Sequence, residues 1–462
     1  MTGMKRLKIF LLCAGGAAAA LVGMDRPPAF APPVSENTVV KSLTLENGLR
    51  VILLERHNLP LVNVVAAVDA GSKDETDASS GITHILEHYV LFRGTEMRSG
   101  SQVAKEIRRH GAYFNAQTGQ DLSVFEISLP AEHADFALAN QKDILFHLKL
   151  TPAELDAEKE VVLEEIRLIE DDPFRFGTSL VFQNLFPGHP YQRPIYGRTE
   201  AIKALTVDDV DRFYRARFVP SAMALAVVGD FMIADMEAKI RAAFGPVPRV
   251  DPIPVPLPKP VPLAKTVEIE LERDVGEGYL IIGAAGPDYS DPDQYASDVL
   301  AQALGQGLNP MLNIALRGGR RDLIHTVQMS YTALKRAGAF IVYLTLDPKN
   351  LGAARKEAVS FLRQVRGASF SKEEFFGEER RYAYEHLESA RNELRLDVQQ
   401  TWESGLGLAY SLAMHVLINE TSGGIDYLER IARVKPPDLR KIGSKYLSHS
   451  EFVIVTVRPK KK

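Results

Sequence analysis

His84, Glu87 and His88 stand in the order His-x-x-Glu-His inside Gly81-Ile82-Thr83-His84-Ile85-Leu86-Glu87-His88, a stretch suited to a helix. On a helix, residues four apart share a face, so the two imidazoles can be offered to one metal ion. Glu87, three residues after His84, falls close to the same face and can reach a metal-bound water without being a ligand itself. Two neutral imidazoles and one carboxylate leave a zinc ion net positive. That charge lowers the pKa of a bound water to about 7 and lets a nearby glutamate take its proton. The competing reading is a pair of packed or exposed histidines with no metal. The chance expectation for this pattern in such a chain is roughly a few hundredths, which favours the metal.

A third ligand has to come from elsewhere. Glu154 to Glu170 reads as a carboxylate-rich helix containing Glu154, Glu158, Glu160, Glu164, Glu165 and Glu170, most of which belong on a solvated face. Glu158 and Glu165 are seven apart and so share a face across two turns, but spacing alone does not choose among the six.

The elements that must position these groups are partly legible. At 462 residues the chain exceeds what one core usually organises, so two domains or a tandem pair are expected. Hydrophobic residues at 45% and charged residues at 25% describe a globular protein and exclude disorder or a multi-span membrane protein. A net charge of −4 gives no electrostatic footprint for nucleic acid, and that class of partner is set aside. Between Gly245 and Ala264 prolines recur at nearly every second position, from Pro246 and Pro248 to Pro260 and Pro262. Such a segment reads as an extended, semi-rigid connector. We therefore expect a first domain over 36–245, a linker over 246–264 and a second domain over 265–462. In the first half, Leu49–Leu54 and Leu61–Val68 read as strands joined by a turn at His57-Asn58-Leu59-Pro60. In the second, Gly278–Ala284 reads as a strand and Asp293–Leu304 as a helix. The pattern suggests a duplicated α+β unit, although residue-level similarity between the halves is too weak to count as a repeat.

The first 31 residues have another character. Lys5, Arg6 and Lys8 precede an apolar run from Ile9 to Val22, and Ala29-Phe30-Ala31 follows. This is the layout of a secretory signal peptide, so export to the periplasm is expected, with a membrane anchor as the alternative if cleavage fails next to Pro32. Cys13, the single cysteine, lies within the apolar run behind Leu12, which does not suit a lipid-attachment box. A mature chain without cysteine has no disulfide and no thiolate ligand, so any metal must be held by nitrogen and oxygen.

With these residues in place, the chain resembles the inverted-motif zinc peptidases of the pitrilysin, insulinase and mitochondrial processing peptidase group. Gly81–Thr95, with Leu86-Glu87-His88 and Phe92-Arg93-Gly94-Thr95, is similar to that family's metal-site helix and its exit. Glu158–Ile166 is similar to its second-ligand helix, where the ligand is the second glutamate of a Glu-x6-Glu pair. The resemblance thus implies Glu165 as the third ligand, Glu158 as a residue supporting the ligands, and one zinc per chain. Phe114-Asn115-Ala116, Gly188-His189-Pro190-Tyr191 and Ala226–Asp230 extend the likeness over nearly the whole first half. It also implies two similar domains, each a mostly antiparallel sheet covered by helices, enclosing a chamber. A peptide would lie as an added strand on a sheet edge near Leu122–Leu129, with Asn115 and Ala116 contacting it.

The second half departs from the pattern. Single-chain catalytic members place an Arg and, seven residues later, a Tyr that hold the substrate carbonyl. Arg317 fits the first position, but Ile324 occupies the second, and Gly318-Gly319-Arg320-Arg321 replaces the usual segment. The expectation is a zinc metalloendopeptidase subunit, completed by a homologous partner that supplies Arg and Tyr. The alternative is a homodimer, or one chain, that uses Arg320, Arg321 or Tyr331. A different class of reading is a non-catalytic assembly subunit of the same fold. A third, zinc storage or transport, would not require Glu87 at its position.

Overall fold

The computed structural model describes residues 40–307, 310–317, 323–370, 385–418 and 427–460. The signal-peptide segment 1–31, the replacement segment 318–321 and Cys13 lie outside the described residues. Two sheets organise the chain. The first contains β1 (Val40–Thr44), β2 (Arg50–Glu55), β3 (Leu61–Val68), β4 (Tyr113–Thr118), β5 (Ser123–Pro130) and β6 (Met223–Gly229), in the order β1-β2-β6-β3-β5-β4. The second contains β7 (Val267–Arg273), β8 (Gly278–Gly286), β9 (Thr326–Ala333), β10 (Gly338–Leu346) and β11 (Val453–Pro459), in the order β7-β11-β8-β10-β9.

Without β1, the two orders are the same. In each half the first strand pairs in parallel with the last, and the last is inserted beside the second in antiparallel fashion. The duplication expected from the sequence pattern is therefore explicit in the topology, and the two-domain α+β reading holds. Between the sheets, residues 246–263 form neither helix nor strand beyond a turn at the start. This segment is fastened to the first domain: Arg217 donates to Ile253 O at 2.7 Å, Ser221 to Val250 O at 2.5 Å, and His189 Nε2 lies 2.8 Å from Pro258 O.

The helices that matter here are α1 (Ile82–Phe92), α2 (Ala134–Phe146), α3 (Pro152–Asp171), α4 (Pro173–Leu185), α5 (Asp293–Gly305), α6 (His386–Glu403) and α7 (Gly405–Ile418). Strand β3 explains why the halves interlock. Its sequence LVNVVAAV is apolar at nearly every position, so both faces must be buried. Val64, Ala66 and Val68 point into the core with α1, α2 and α3, whereas Val65 and Ala67 point the other way and join a core made largely by the second domain. The covering element on that second face is α7, which packs across β3 and β6. Helix α7 is apolar on nearly all sides, as a helix sandwiched in this way must be. The exchange is reciprocal, because α4 of the first half packs on β8 and β11. There Val181 and Leu185 join Ile281, Val453 and Val455, and a Cβ at Gly283 would lie 2.1 Å from Val181 Cγ1. Arg50 and Arg56 of the first half donate to Val416 O and Trp402 O in the last turns of α7 and α6, satisfying carbonyls that have no partner within the helix.

A buried charge network also spans the halves. Lys73 reaches Asp69 at 3.0 Å and Asp74 at 2.5 Å, while Lys335, in the β9–β10 turn, reaches the same Asp69 at 2.8 Å. Burial works against the charge on Lys73, but Asp74, Asp69 and Asp121 outweigh it and hold the ammonium protonated.

Candidate metal centre

The metal-site helix starts without a capping side chain of its own. Gly81 is at its N-cap with φ +95°, and the cap comes from Glu75, which accepts from Gly81 N at 2.8 Å and Thr83 N at 3.0 Å. Burial pushes the Glu75 carboxyl up to about 8, and those backbone donors oppose the rise. Gly81 is required sterically as well, because it meets Gly197. A Cβ on Gly197 (φ +87°) would lie 2.6 Å from Gly81 Cα, and one on Gly81 would lie 2.7 Å from Gly197 Cα. This contact brings the following loop, including Tyr196, against the start of α1. Gly197→Ala should therefore lower the unfolding free energy by about 2–4 kcal/mol, from left-handed strain plus the clash. Urea denaturation measures this, and an unchanged midpoint would contradict the packing described.

His84 and His88 project from α1 as the spacing predicts, both buried, with rings edge to face and centroids 4.7 Å apart. Helix α3 is capped by Thr151, whose Oγ1 accepts from Glu154 N at 3.3 Å, and packs against α1. It turns Glu158 and Glu165 toward the histidines. Glu165 Oε2 lies 3.4 Å from His84 Nε2 and 3.5 Å from His88 Nε2. Glu158 Oε2 sits 2.9 Å from the other ring nitrogen of His88, and Glu158 Oε1 accepts from Arg93 Nε at 2.5 Å. The remaining glutamates point elsewhere: Glu164 pairs with Arg167 on the exposed face, Glu154 takes part in the cap, and Glu160 and Glu170 are exposed.

The distances test whether these residues fit a metal. Two ligand atoms on a tetrahedral zinc, each about 2.05 Å from it, lie about 3.3 Å apart. The His–Glu separations match that edge and are too long for good hydrogen bonds. One donor atom from each of His84, His88 and Glu165 can be chosen so that all lie within 4.8 Å of one another. The side chain of Glu165 is 38% exposed, so the centre is not sealed on that side. Burial, helped by the neighbouring His88, drives His84 down to about 3, so its imidazole is neutral. Burial also opposes protonation of His88, but Glu158 and Glu165 outweigh it and raise that group to about 9. A cation in the centre would compete with this proton.

Glu87 stands on the adjacent edge of α1. Its carboxyl is raised by burial, with Thr118, at the end of β4, working against the rise. Thr118, Asn115 and Ala116 all belong to β4, which packs against α1. This corrects one expectation. The segment near 122–129 is not a sheet edge: it is β5, flanked by β3 and β4. The edge is β4, whose polar sequence YFNAQT is the composition of a half-exposed outer strand. Asn115 Nδ2 lies 3.4 Å from Glu126 Oε1, which also accepts from Tyr113 Oη at 3.2 Å.

The second half brings less to this place. Arg317 ends a helix, Met311–Arg317, that packs on α5, β9 and residues 351–364. Ile324 is buried in the second core, and Tyr331 is buried with its hydroxyl donated to Pro287 O at 2.7 Å, which removes it as a substitute phenol. The guanidinium whose charge reaches His84 and Glu165 is that of Arg175.

The description "Insulinase (Peptidase family M16)" matches residues 50–199, and "Peptidase M16 inactive domain" matches residues 204–378. The chain belongs to the insulinase family. Its curated relatives include an uncharacterized zinc protease of Streptomyces coelicolor, 29% identical over 317 residues, covering 68% of this chain and 69% of that protein. Another is the zinc protease PqqE of Helicobacter pylori, 24% identical over 429 residues, covering 91% and 93%. Two solved structures share the fold: a protease from Helicobacter pylori, with TM-score 0.81, 24% identity and coverage of 93% and 100%, and a putative M16-like peptidase from Alicyclobacillus acidocaldarius, with TM-score 0.77, 20% identity and coverage of 92% and 100%. In this insulinase-family member the first matched segment ends before β6, although β6 completes the first sheet.

Sequence reasoning missed Glu75, Arg175 and Tyr196, none of which belongs to a short motif. For Glu158 we expect Glu158→Gln to leave a folded protein whose zinc affinity falls 10- to 100-fold, roughly the loss seen when a carboxylate that orients a ligating histidine is removed. Competition with a chelator measures it, and unchanged affinity would remove Glu158 from the support of His88.

Proposed function

We propose that the protein is a zinc metalloendopeptidase subunit hydrolysing peptides or unfolded segments, with zinc held by His84, His88 and Glu165. The observation that carries this reading is the placement of Glu165 at tetrahedral edge distances from two histidine nitrogens, with all three donors within 4.8 Å of one another, beside the Glu87 carboxyl. Zinc held by this donor set would supply a Lewis acid that polarises a carbonyl oxygen and makes a water acidic near neutrality. Glu87 accepts the proton of the attacking water and passes it to the departing amine. Its environment suits this, since burial raises the affinity of the carboxylate for a proton. Glu158 holds His88 by its second nitrogen, so the imidazole keeps one tautomer and one orientation. The open edge of β4 takes the peptide as an added strand, which places its backbone alongside Glu87 with Asn115 and Ala116 beneath it.

What this chain lacks in the described residues is the tyrosine of the Arg–Tyr pair expected after α5: Arg317 fits the first position, whereas Ile324 and Tyr331 are buried. The proposal therefore includes a homologous second chain that contributes those donors and closes a chamber over the β4 edge, or failing that a second copy of this chain. The periplasm is the proposed compartment, motivated by residues 1–31. Among the described residues, no helix is long and apolar enough to cross a membrane. The test is cleavage of an unstructured peptide by protein of measured zinc content, with and without the chain that co-purifies. Chelation should stop cleavage and added zinc restore it. Full zinc content without cleavage in any assembly would favour a non-catalytic assembly subunit.

A further inference from the structure

Arg175 lies beside the centre, yet none of the roles above uses it. It occupies the first turn of α4, where the N-cap Asp172 accepts from Phe174 N at 2.9 Å and from Arg175 N at 3.0 Å. A cation in the first turn of a helix opposes the helix dipole, so the position gains nothing for the helix. Its Nη2 donates to Tyr196 Oη at 3.1 Å, and the guanidinium carbon stands 5.5 Å from the centre of that ring. The Tyr196 ring stands edge-on to His84, with centroids 5.0 Å apart. Tyr196 is itself fixed by the contact of Gly197 with Gly81 at the start of α1. A rigid relay thus holds an exposed guanidinium at the rim of the centre. Nearby Arg193 is paired with Asp77, whereas no carboxylate among the described residues lies within ion-pair distance of Arg175.

Two neutral imidazoles, the Glu165 carboxylate and a divalent cation leave one positive charge, which the Glu87 carboxylate offsets; Glu158 pairs with Arg93, so the Arg175 guanidinium is the positive charge left over at the rim. We propose that Arg175 is a specificity-determining residue that selects peptides with an acidic side chain next to the scissile bond, and that Tyr196 is the positioning residue that aims it. The inference rests on the peptidase reading. The partner group is a side chain rather than a terminal carboxylate, because β4 is the outer strand of its sheet among the described residues and lets an extended peptide continue past the centre. Bidentate pairing of guanidinium with carboxylate supplies the selectivity.

The test uses zinc-loaded protein carrying Glu87→Gln, so that binding is read without turnover. Fluorescent peptides ending in a carboxamide, with one glutamate moved through successive positions, are compared with their glutamine counterparts by anisotropy. One position should show glutamate binding about tenfold tighter than glutamine, as a charge-assisted pair at a partly exposed site provides. Arg175→Gln should reduce that preference to under about twofold, and Arg175→Glu should reverse it in favour of lysine. Tyr196→Phe should keep the zinc and reduce the preference to about threefold, by releasing the guanidinium. In cleavage by the Glu87 form, the same substitutions should raise KM and leave kcat nearly unchanged. Equal binding of glutamate and glutamine peptides at every position, or a preference that survives Arg175→Gln, overturns the inference. A neutral peptide with a free C-terminus that is favoured through Arg175 while no internal glutamate is favoured also overturns it. Discrimination in binding without any cleavage would refute the peptidase reading and leave the carboxylate recognition standing; cleavage without discrimination would do the reverse.

Discussion

Glu87→Gln should keep a full complement of zinc and lose roughly 10³-fold in kcat, the order expected when a general base is removed from hydrolysis. The substitution preserves shape and takes away only the ability to accept a proton. Glu87 is not one of the three converging donors, so the metal has no reason to leave. Nor does Glu87 cap or brace the helix, because the cap comes from Glu75 and the packing from Ile85, Leu86 and Tyr89. Peptide affinity should change little, which separates the loss from misfolding. Turnover at the wild-type rate by Glu87→Gln would remove this residue from the chemistry.

The metal ligands carry the second large effect. His84→Ala, His88→Ala and Glu165→Gln should each abolish zinc binding at micromolar concentrations, since each leaves only two of the three donors that converge among the described residues. The loss should also appear in stability. A metal present at about 1,000 times its Kd adds about 4 kcal/mol to the folded state by mass action, and that increment should vanish from the thermal transition of each variant. Glu164→Gln is the internal control: its side chain faces solvent, 2.6 Å from Arg167, and zinc content should not change. Zinc retained by Glu165→Gln but lost by Glu164→Gln would contradict the geometry of α3.

The site could be read from the sequence where chemistry demands residue types at helical spacing. His84 and His88 one turn apart, and Glu158 and Glu165 two turns apart, need only the helix to exist. Both helices announce themselves, α3 with Thr151 before Pro152 at its start. Strand β3 was legible to its ends because an apolar β-branched run has few alternatives. The duplication was only hinted at, because the halves share burial pattern and topology rather than residues. Other features depend on contacts distant in sequence. That α7 is buried can be inferred from its apolar composition, but not that it lies on β3 and β6 of the other half. The sheet edge was placed one strand inward, near 122–129, because it was carried over from the resemblance, and the polar sequence of β4 carries little strand signal of its own. Arg175 and Tyr196 meet only because two glycines with positive φ let the backbones of 81 and 197 touch.

The most direct test of the central claim is a zinc titration of metal-free protein, combined with its co-purifying chain, in which the rate of peptide cleavage is followed against zinc added per chain. The expected rate rises in proportion to zinc and breaks sharply at one equivalent of this chain, with no rise at any ratio for His88→Ala. Cleavage that is independent of zinc, or a chain that takes up its full equivalent and cleaves nothing, would contradict it.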